Sequence, residues 1–267
     1  DGPGGAVFIT GPSSRLDVSD SLFEANECAP GGGGIGGAIY LDSAEAFVDR
    51  SRFVGNTAAT GAAVRSGGGS GFHTIVRSSF EGNESTASAQ SGLDSDGGAL
   101  VLEGARHVVS NCLFQGNSSL ADGAAVTMIP RSLVFVTNNV FVHNDSPEGA
   151  GLHILAGVTP VALLQDNIIA FNDGHGVYTD GSSYGAATLY NDVFDNGSGD
   201  WGAAAPLVPV PLNNLSVDPL FLALSDDGDP DNDDYHLDSG SPVMDQGNPD
   251  PTHNDADGPA NDLGLFG

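Results

Sequence analysis

The sequence predicts an all-β fold, a parallel β-solenoid of about seven coils with an irregular C-terminal cap. Three observations predict it. A glycine-led motif recurs as GGAVFI, GGAIYL, GAAVRS, GGALVL, GAAVTM, GAGLHI and GHGVYT. Each copy is followed about twenty residues later by an Asn, and periods of about 20 to 50 residues mark solenoids or propellers. The 267 residues include 39 Gly and 15 Pro with no three-residue glycine period, which excludes collagen and favours a turn-rich β fold over helical repeats.

In the glycine-led segments Val7, Ile39, Val64, Leu100, Val126, Leu152 and Val177 align, and Ile9, Leu41, Ser66, Leu102, Met128, Ile154 and Thr179 follow two residues on. Period two is a strand with one face inward. The residues between them, Phe8, Tyr40, Arg65, Val101, Thr127, His153 and Tyr178, are expected to face solvent. A second strand leads to Phe-x-x-Asn: Val18, Val48, Ile75, Val109, Val136, Leu164 and Leu189 stand five residues before the Phe position. Phe23, Phe53, Phe80, Phe114 and Phe141 fill that position, with Ile169 replacing Phe once. Two residues before it, Ser21, Ser51, Ser78, Cys112, Asn139, Asn167 and Asp192 form a small or polar inner column. Asn26, Asn56, Asn83, Asn117, Asn144, Asn172 and Asn196 close the coils. Asn tolerates left-handed backbone and bonds its own main chain, so these residues are expected to turn each coil at one corner and to stack as an amide ladder. A repeat of about 25 residues is too short for a propeller blade and fits coils stacked at roughly 4.8 Å. Insertions fall between the Asn and the next glycine pair, longest in ECAPGGGGI and ESTASAQSGLDSD, so one corner carries them.

The paired motifs GGAVF, GGAIY and GGALV with FEAN, FVGN, FEGN, FQGN and FVHN resemble the repeats of polymorphic outer-membrane protein passengers and related bacterial right-handed parallel β-helix proteins, over about residues 4 to 197. The resemblance implies a right-handed coil and an extracellular or bacterial cell-surface location. Residues 1–200 are then the repeats and 201–267 a C-terminal capping region. In that region DPLF, YHLDSGSPVMDQG and DADGPANDLGLFG resemble the C-terminal end of secreted bacterial β-helix proteins. This implies a cap over the last coil, with Leu220, Phe221, Leu222, Leu237, Val243 and Met244 as its apolar side.

Two acidic runs lie inside the capping region. DDGDPDNDD places Asp227, Asp229, Asp231 and Asp233 at alternate positions, and DADGPAND carries Asp255, Asp257 and Asp262. Calcium takes about six to eight oxygens, which spaced Asp in a turning loop supplies, so Ca2+ is the expected cofactor. Neither run closes with Glu as an EF-hand does, and a solvated acidic loop is the alternative.

Net charge is −28, from 35 acidic residues against 7 Arg and no Lys. That opposes nucleic acid and anionic membrane as partners, and suits an extracellular, high-salt or calcium-binding protein. No apolar run is long enough to insert in a membrane. Cys28 and Cys112 fall in a loop and a buried column about three coils apart, so no disulfide is expected between them. The chain enters its first coil directly through DGPGGAVF, and that sheet edge is expected either to pair with another copy or to mark a fragment.

No catalytic residue is assigned. Lyases acting beside a uronate use Lys or Arg in a basic groove, which this charge disfavours. GHG at Gly174–Gly176 lacks the companion motifs of pectin hydrolases. Glycoside hydrolysis needs two carboxyls about 5 to 9.5 Å apart. Asp42, Glu103 and Asp180 occupy equivalent outward positions but not on adjacent coils, while Asp166, Asp192 and Asp195 are weighed as structural. His73 and His107 share an alignment position, and His143, His153 and His175 follow later, with no close pair spaced for zinc. Tyr40, His153 and Tyr178 are the candidate glycan-facing residues. The expected function is a non-catalytic extracellular or cell-surface structural or adhesive module, part of a fibre or larger surface protein, with a glycan or host-cell surface as partner. The alternative is a carbohydrate-binding or carbohydrate-active β-helix.

Overall fold

The computed structural model describes residues 4–29, 33–69, 71–87, 97–129, 132–155, 161–180, 186–203, 213–225, 232–250, 252–253 and 261–266. The described residues contain no α-helix and wind through three parallel sheets. The first sheet starts with the glycine-led strands Val7–Thr10, Ile39–Asp42, Val64–Gly67, Leu100–Leu102 and Val126–Met128. The second holds seven strands, from Arg15–Ser19 to Ala186–Leu189, and the third holds seven, from Leu22–Glu24 to Asp192–Phe194. Seven strands enclose about six full turns, one fewer than the motif count predicts.

Register is in step from coil to coil because each position keeps its chemistry. Phe23, Phe53, Phe80, Phe114 and Phe141 pair along the third sheet, their rings 4.8 to 4.9 Å apart and within 6° of parallel. The ring spacing equals the strand spacing, so each ring stays in contact with the next along the stack. Each closing Asn donates from Nδ2 to Oδ1 of the next: Asn26 to Asn56, Asn56 to Asn83, Asn83 to Asn117, Asn117 to Asn144, Asn144 to Asn172 and Asn172 to Asn196, at 2.8 to 2.9 Å. The second Nδ2 hydrogen goes back to the carbonyl at the Phe position of the preceding coil, as from Asn117 to Phe80 at 2.9 Å. Buried corner groups are thereby satisfied.

The left-handed residue at this corner is not the Asn but its predecessor. Ala25, Gly55, Gly82, Gly116, His143, Phe171 and Asp195 have φ between 49° and 60°. Gly55, Gly82 and Gly116 have open space where a Cβ would stand, so backbone conformation alone favours glycine there. Gly37 is small for another reason: a Cβ would lie 1.9 Å from the Ala62 carbonyl oxygen of the next coil.

The inner column at the other corner is Ser21, Ser51, Ser78 and Cys112, then a second amide ladder of Asn139, Asn167, Asn191 and Asn214. Asn191, not Asp192, belongs to it. Val193 pairs with Ile169 and takes the Phe position, whereas counting five residues on from Leu189 leads to Phe194, one residue too far. Asp192 instead points outward, buried beneath Val217, and desolvation pushes its carboxyl up to about 7. Both cysteines are buried and unbridged, and Cys28 lies in the short strand Glu27–Cys28, not in a loop. Burial pushes the Cys112 thiol up to about 12.

Of the described C-terminal region, residues 213–217 stack on the last coil, where Leu215 bridges Asp192 and Asn214 Oδ1 accepts from Asn191, and later residues pack along the flank. Tyr235, Val243 and Leu263 pack on Val140, Val142, Ile168 and Ala170, the outer face of the third sheet, with Phe221 and Leu237 beside them. Leu220 and Leu222 are exposed. Asp166 pins the segment: its Oδ1 accepts from the Asn248 N–H at 2.8 Å and its Oδ2 from Asn261 Nδ2 at 3.1 Å.

Candidate functional site

The outward row of the glycine-led strands is wet only at its ends. Phe8 is 44% exposed and stacks on half-buried Tyr40 at 5.5 Å. Farther along, Arg65, Val101, Thr127 and His153 are buried, which corrects the expectation of a solvent face and removes His153 from the glycan-facing set. The turn before each glycine pair folds over this row. Thr127 Oγ1 donates to the Gly97 carbonyl at 3.0 Å, and a Cβ at Gly149 would stand 3.0 Å from that of His153.

Where the row ends, acids gather round His153. Glu148, His153 and Asp180 each offer one ligand atom, and these atoms all lie within 4.8 Å of one another. Glu148 and His153 share the strand Asp145–Ile154, five positions apart, too far for a regular strand to bring together. The strand is irregular: against Asp173–Thr179 its register shifts between Asp145 and Gly149 and again between Gly149 and Leu152. Bulges of this kind re-aim side chains, and here Glu148 is turned back toward His153. Asp180 follows Thr179, on the neighbouring coil. Tyr178 closes one side, its ring 5.4 Å from His153 in an edge-to-face contact, and His175 packs on Tyr178 at 5.4 Å.

The electrostatics are those of crowded acids. Burial pushes the Glu148 carboxyl up, and Asp122 and Asp180 add to this while His153 opposes it. Asp122 is pushed up by burial and by Asp180. His153 Nε2 lies 3.3 Å from Asp180 Oδ1, yet neither ring nitrogen makes a hydrogen bond and the side chain is 0% exposed. The arrangement suits two chemistries: holding a cation, or pairing one carboxyl as acid with the other as nucleophile, as glycosidases do, the ligand atoms here lying within 4.8 Å of one another.

The other residues singled out from the sequence lie elsewhere. Tyr178 joins the acid cluster, whereas Tyr40 sits several coils away on Phe8. Asp233 is a tether, accepting from Gln115 Nε2 at 2.7 Å and Tyr235 OH at 3.0 Å. Asp262 Oδ1 accepts the Asp245 N–H at 2.7 Å. Asp227, Asp229, Asp231, Asp255 and Asp257 lie outside the described residues. His73 and His107 turn inward, buried and stacked at 4.9 Å; burial lowers His73 to about 4 and His107 to about 3. On the opposite flank, Arg50, Arg52 and Arg77 line a cleft of about 600 Å³ beside Leu265 and Phe266. All three are already paired, with Asp20, Asp49 or Glu81.

Sequence reasoning missed Glu148 and Asp122. One signal was present: each acid directly precedes the glycine of its coil, in ADGAAV and PEGAGL, so neighbouring coils carry acids at one position. The bulge that turns Glu148 toward His153 leaves no comparable trace.

The family model described as "Right handed beta helix region" matches residues 37–204. The chain belongs to this family. The match to the right-handed β-helix family ends one residue past the strand Gly199–Ala203. This β-helix is 30% identical over 193 residues to the metabotropic glutamate receptor-like protein R of Dictyostelium discoideum. That alignment covers 63% of the β-helix chain and 11% of the relative, so the chain spans about a tenth of the relative's length. No solved structure matches the chain.

Proposed function

We propose that this β-helix is a non-catalytic structural or adhesive module of an extracellular or cell-surface protein. The observation that carries the reading is the continuity of its internal ladders. From Asn26 to Asn196 each corner amide donates to the next, and the Phe stack runs beside them. A scaffold so regular supports a role in holding surfaces at fixed spacing. The GGA and FxxN motifs, the net charge of −28 and the receptor-like name of the relative support placing it outside the cell. Its partner would be a glycan or another cell-surface component, and the acidic C-terminal loops would add calcium.

A carbohydrate-active role is the second reading, favoured by one observation, the convergence of Glu148 and Asp180 beside Tyr178. Incubation with a panel of neutral and acidic polysaccharides tests both. No new reducing ends or unsaturated products are expected, together with retention of the folded chain on a glycan array or on intact cells. Turnover that disappears in Glu148→Gln would overturn the first reading in favour of the second.

A further inference from the structure

We propose that Glu148, His153 and Asp180 form a binding site for a divalent transition ion of the zinc type. The inference is independent of the structural reading above and holds for either role.

Three observations converge. The His153 ring is fully buried and has no hydrogen bond at either nitrogen, so Nε2 faces the carboxylates with its lone pair or proton unused. An unpaired buried imidazole nitrogen is costly, and a metal ion is a partner that satisfies it. The 3.3 Å between His153 Nε2 and Asp180 Oδ1 is the spacing of two ligands that each stand about 2.0 to 2.1 Å from one tetrahedral ion. Glu148, half-buried and on a flexible stem, has less than a side-chain swing to travel, since its ligand atom is within 4.8 Å of both others.

The donor set selects the class of ion. Calcium and magnesium take oxygen almost alone, and a buried imidazole at the centre of the site works against them. One nitrogen with carboxylate oxygens suits zinc, and manganese after it. The edge-to-face contact with Tyr178 packs against the His153 ring and limits its rotation. Asp180, 34% exposed, leaves the ion a path from solvent.

The test uses the whole chain, stripped with chelator and titrated with zinc chloride by calorimetry, while the His153 ring nitrogens are followed by NMR. One tight equivalent is expected, with the Nε2 resonance of His153 shifting as it binds. Asp180→Asn and Glu148→Gln, both at partly exposed positions, are each expected to weaken binding at least about tenfold. A hundredfold excess of calcium should not displace the zinc. His236→Ala removes an exposed histidine beside Asp234 and should leave the affinity unchanged. Absence of a stoichiometric site, an unmoved His153 resonance in the wild type, or loss of binding in His236→Ala would each overturn the assignment.

Discussion

Two stretches of this β-helix treat the same repeat differently. From Ile39 to Val142 the pairing register has no shift, Phe stacks on Phe and Asn on Asn, and even the histidines His73 and His107 sit in an inward row among Ala46 and Val134. From Asp145 to Asp180 the register breaks twice, and the break assembles Glu148, His153 and Asp180. Both stretches bury histidine completely, but the first surrounds it with apolar side chains and the second with acids. Regularity concentrates stability, and the place where it lapses concentrates charge.

The largest effect should come from the regular stretch. Phe114→Ala removes a ring that touches Phe80 and Phe141 and is 0% exposed, and is expected to cost about 3 to 5 kcal/mol in denaturant unfolding. A loss below 1 kcal/mol (about one fifth of the upper figure) would mean that the stack does not hold the coils. Next in size is a dependence on pH. His73 and His107 are held neutral by burial, at about 4 and about 3, so the unfolded chain takes up protons first as pH falls below about 6.5. Stability from these two groups should decline from about pH 6.5 toward pH 4, by about 2 kcal/mol for each by pH 5. A His73→Leu/His107→Leu variant should show a shallower acid limb in thermal melts, and an unchanged limb would assign the sensitivity to other groups.

Asn117→Ala should cost about 1 to 3 kcal/mol, since it strands the Phe80 carbonyl and the Asn83 amide. Melting at the wild-type temperature would contradict the ladder. The smallest effect belongs to the irregular stretch and has the opposite sign. In chelated protein Glu148→Gln relieves repulsion with Asp122 and Asp180 and should raise stability by at most about 1 kcal/mol. A marked loss would make Glu148 a structural residue and erase the contrast between the two stretches.

The legible part of the molecule was the part that repeats. Phe53, Phe80 and Phe114 and the asparagines three residues beyond each of them recur in the same pattern, and a side chain that must meet its own kind in the next coil leaves a period in the sequence. The outward row misled because period two tells which way a side chain points, not what lies over it. The backbone at Gly97 and Gly149 covers Thr127 and His153, and this follows from chain path, not from spacing. In the last coil Phe194 mimicked the Phe position while Val193 occupied it, because two adjacent apolar residues satisfy the pattern equally well. The C-terminal segment carries apolar residues but no period, so nothing in it showed that Tyr235, Val243 and Leu263 pack on the outer face of the third sheet.

The Asn ladder also has a direction. Every Oδ1 faces the preceding coil and every linking Nδ2 the following one, so the amide dipoles add head to tail, with the positive pole toward the last coil. There Asn196 Nδ2 meets not another amide but the carboxylate of Asp200, at 3.1 Å. An anion at the positive pole of aligned dipoles is stabilised as it is at a helix N-terminus. The solenoid therefore has electrical polarity. A coil inserted between Asn56 and Asn144 would continue the array, whereas one added beyond Asn196 would have to displace the charge that terminates it.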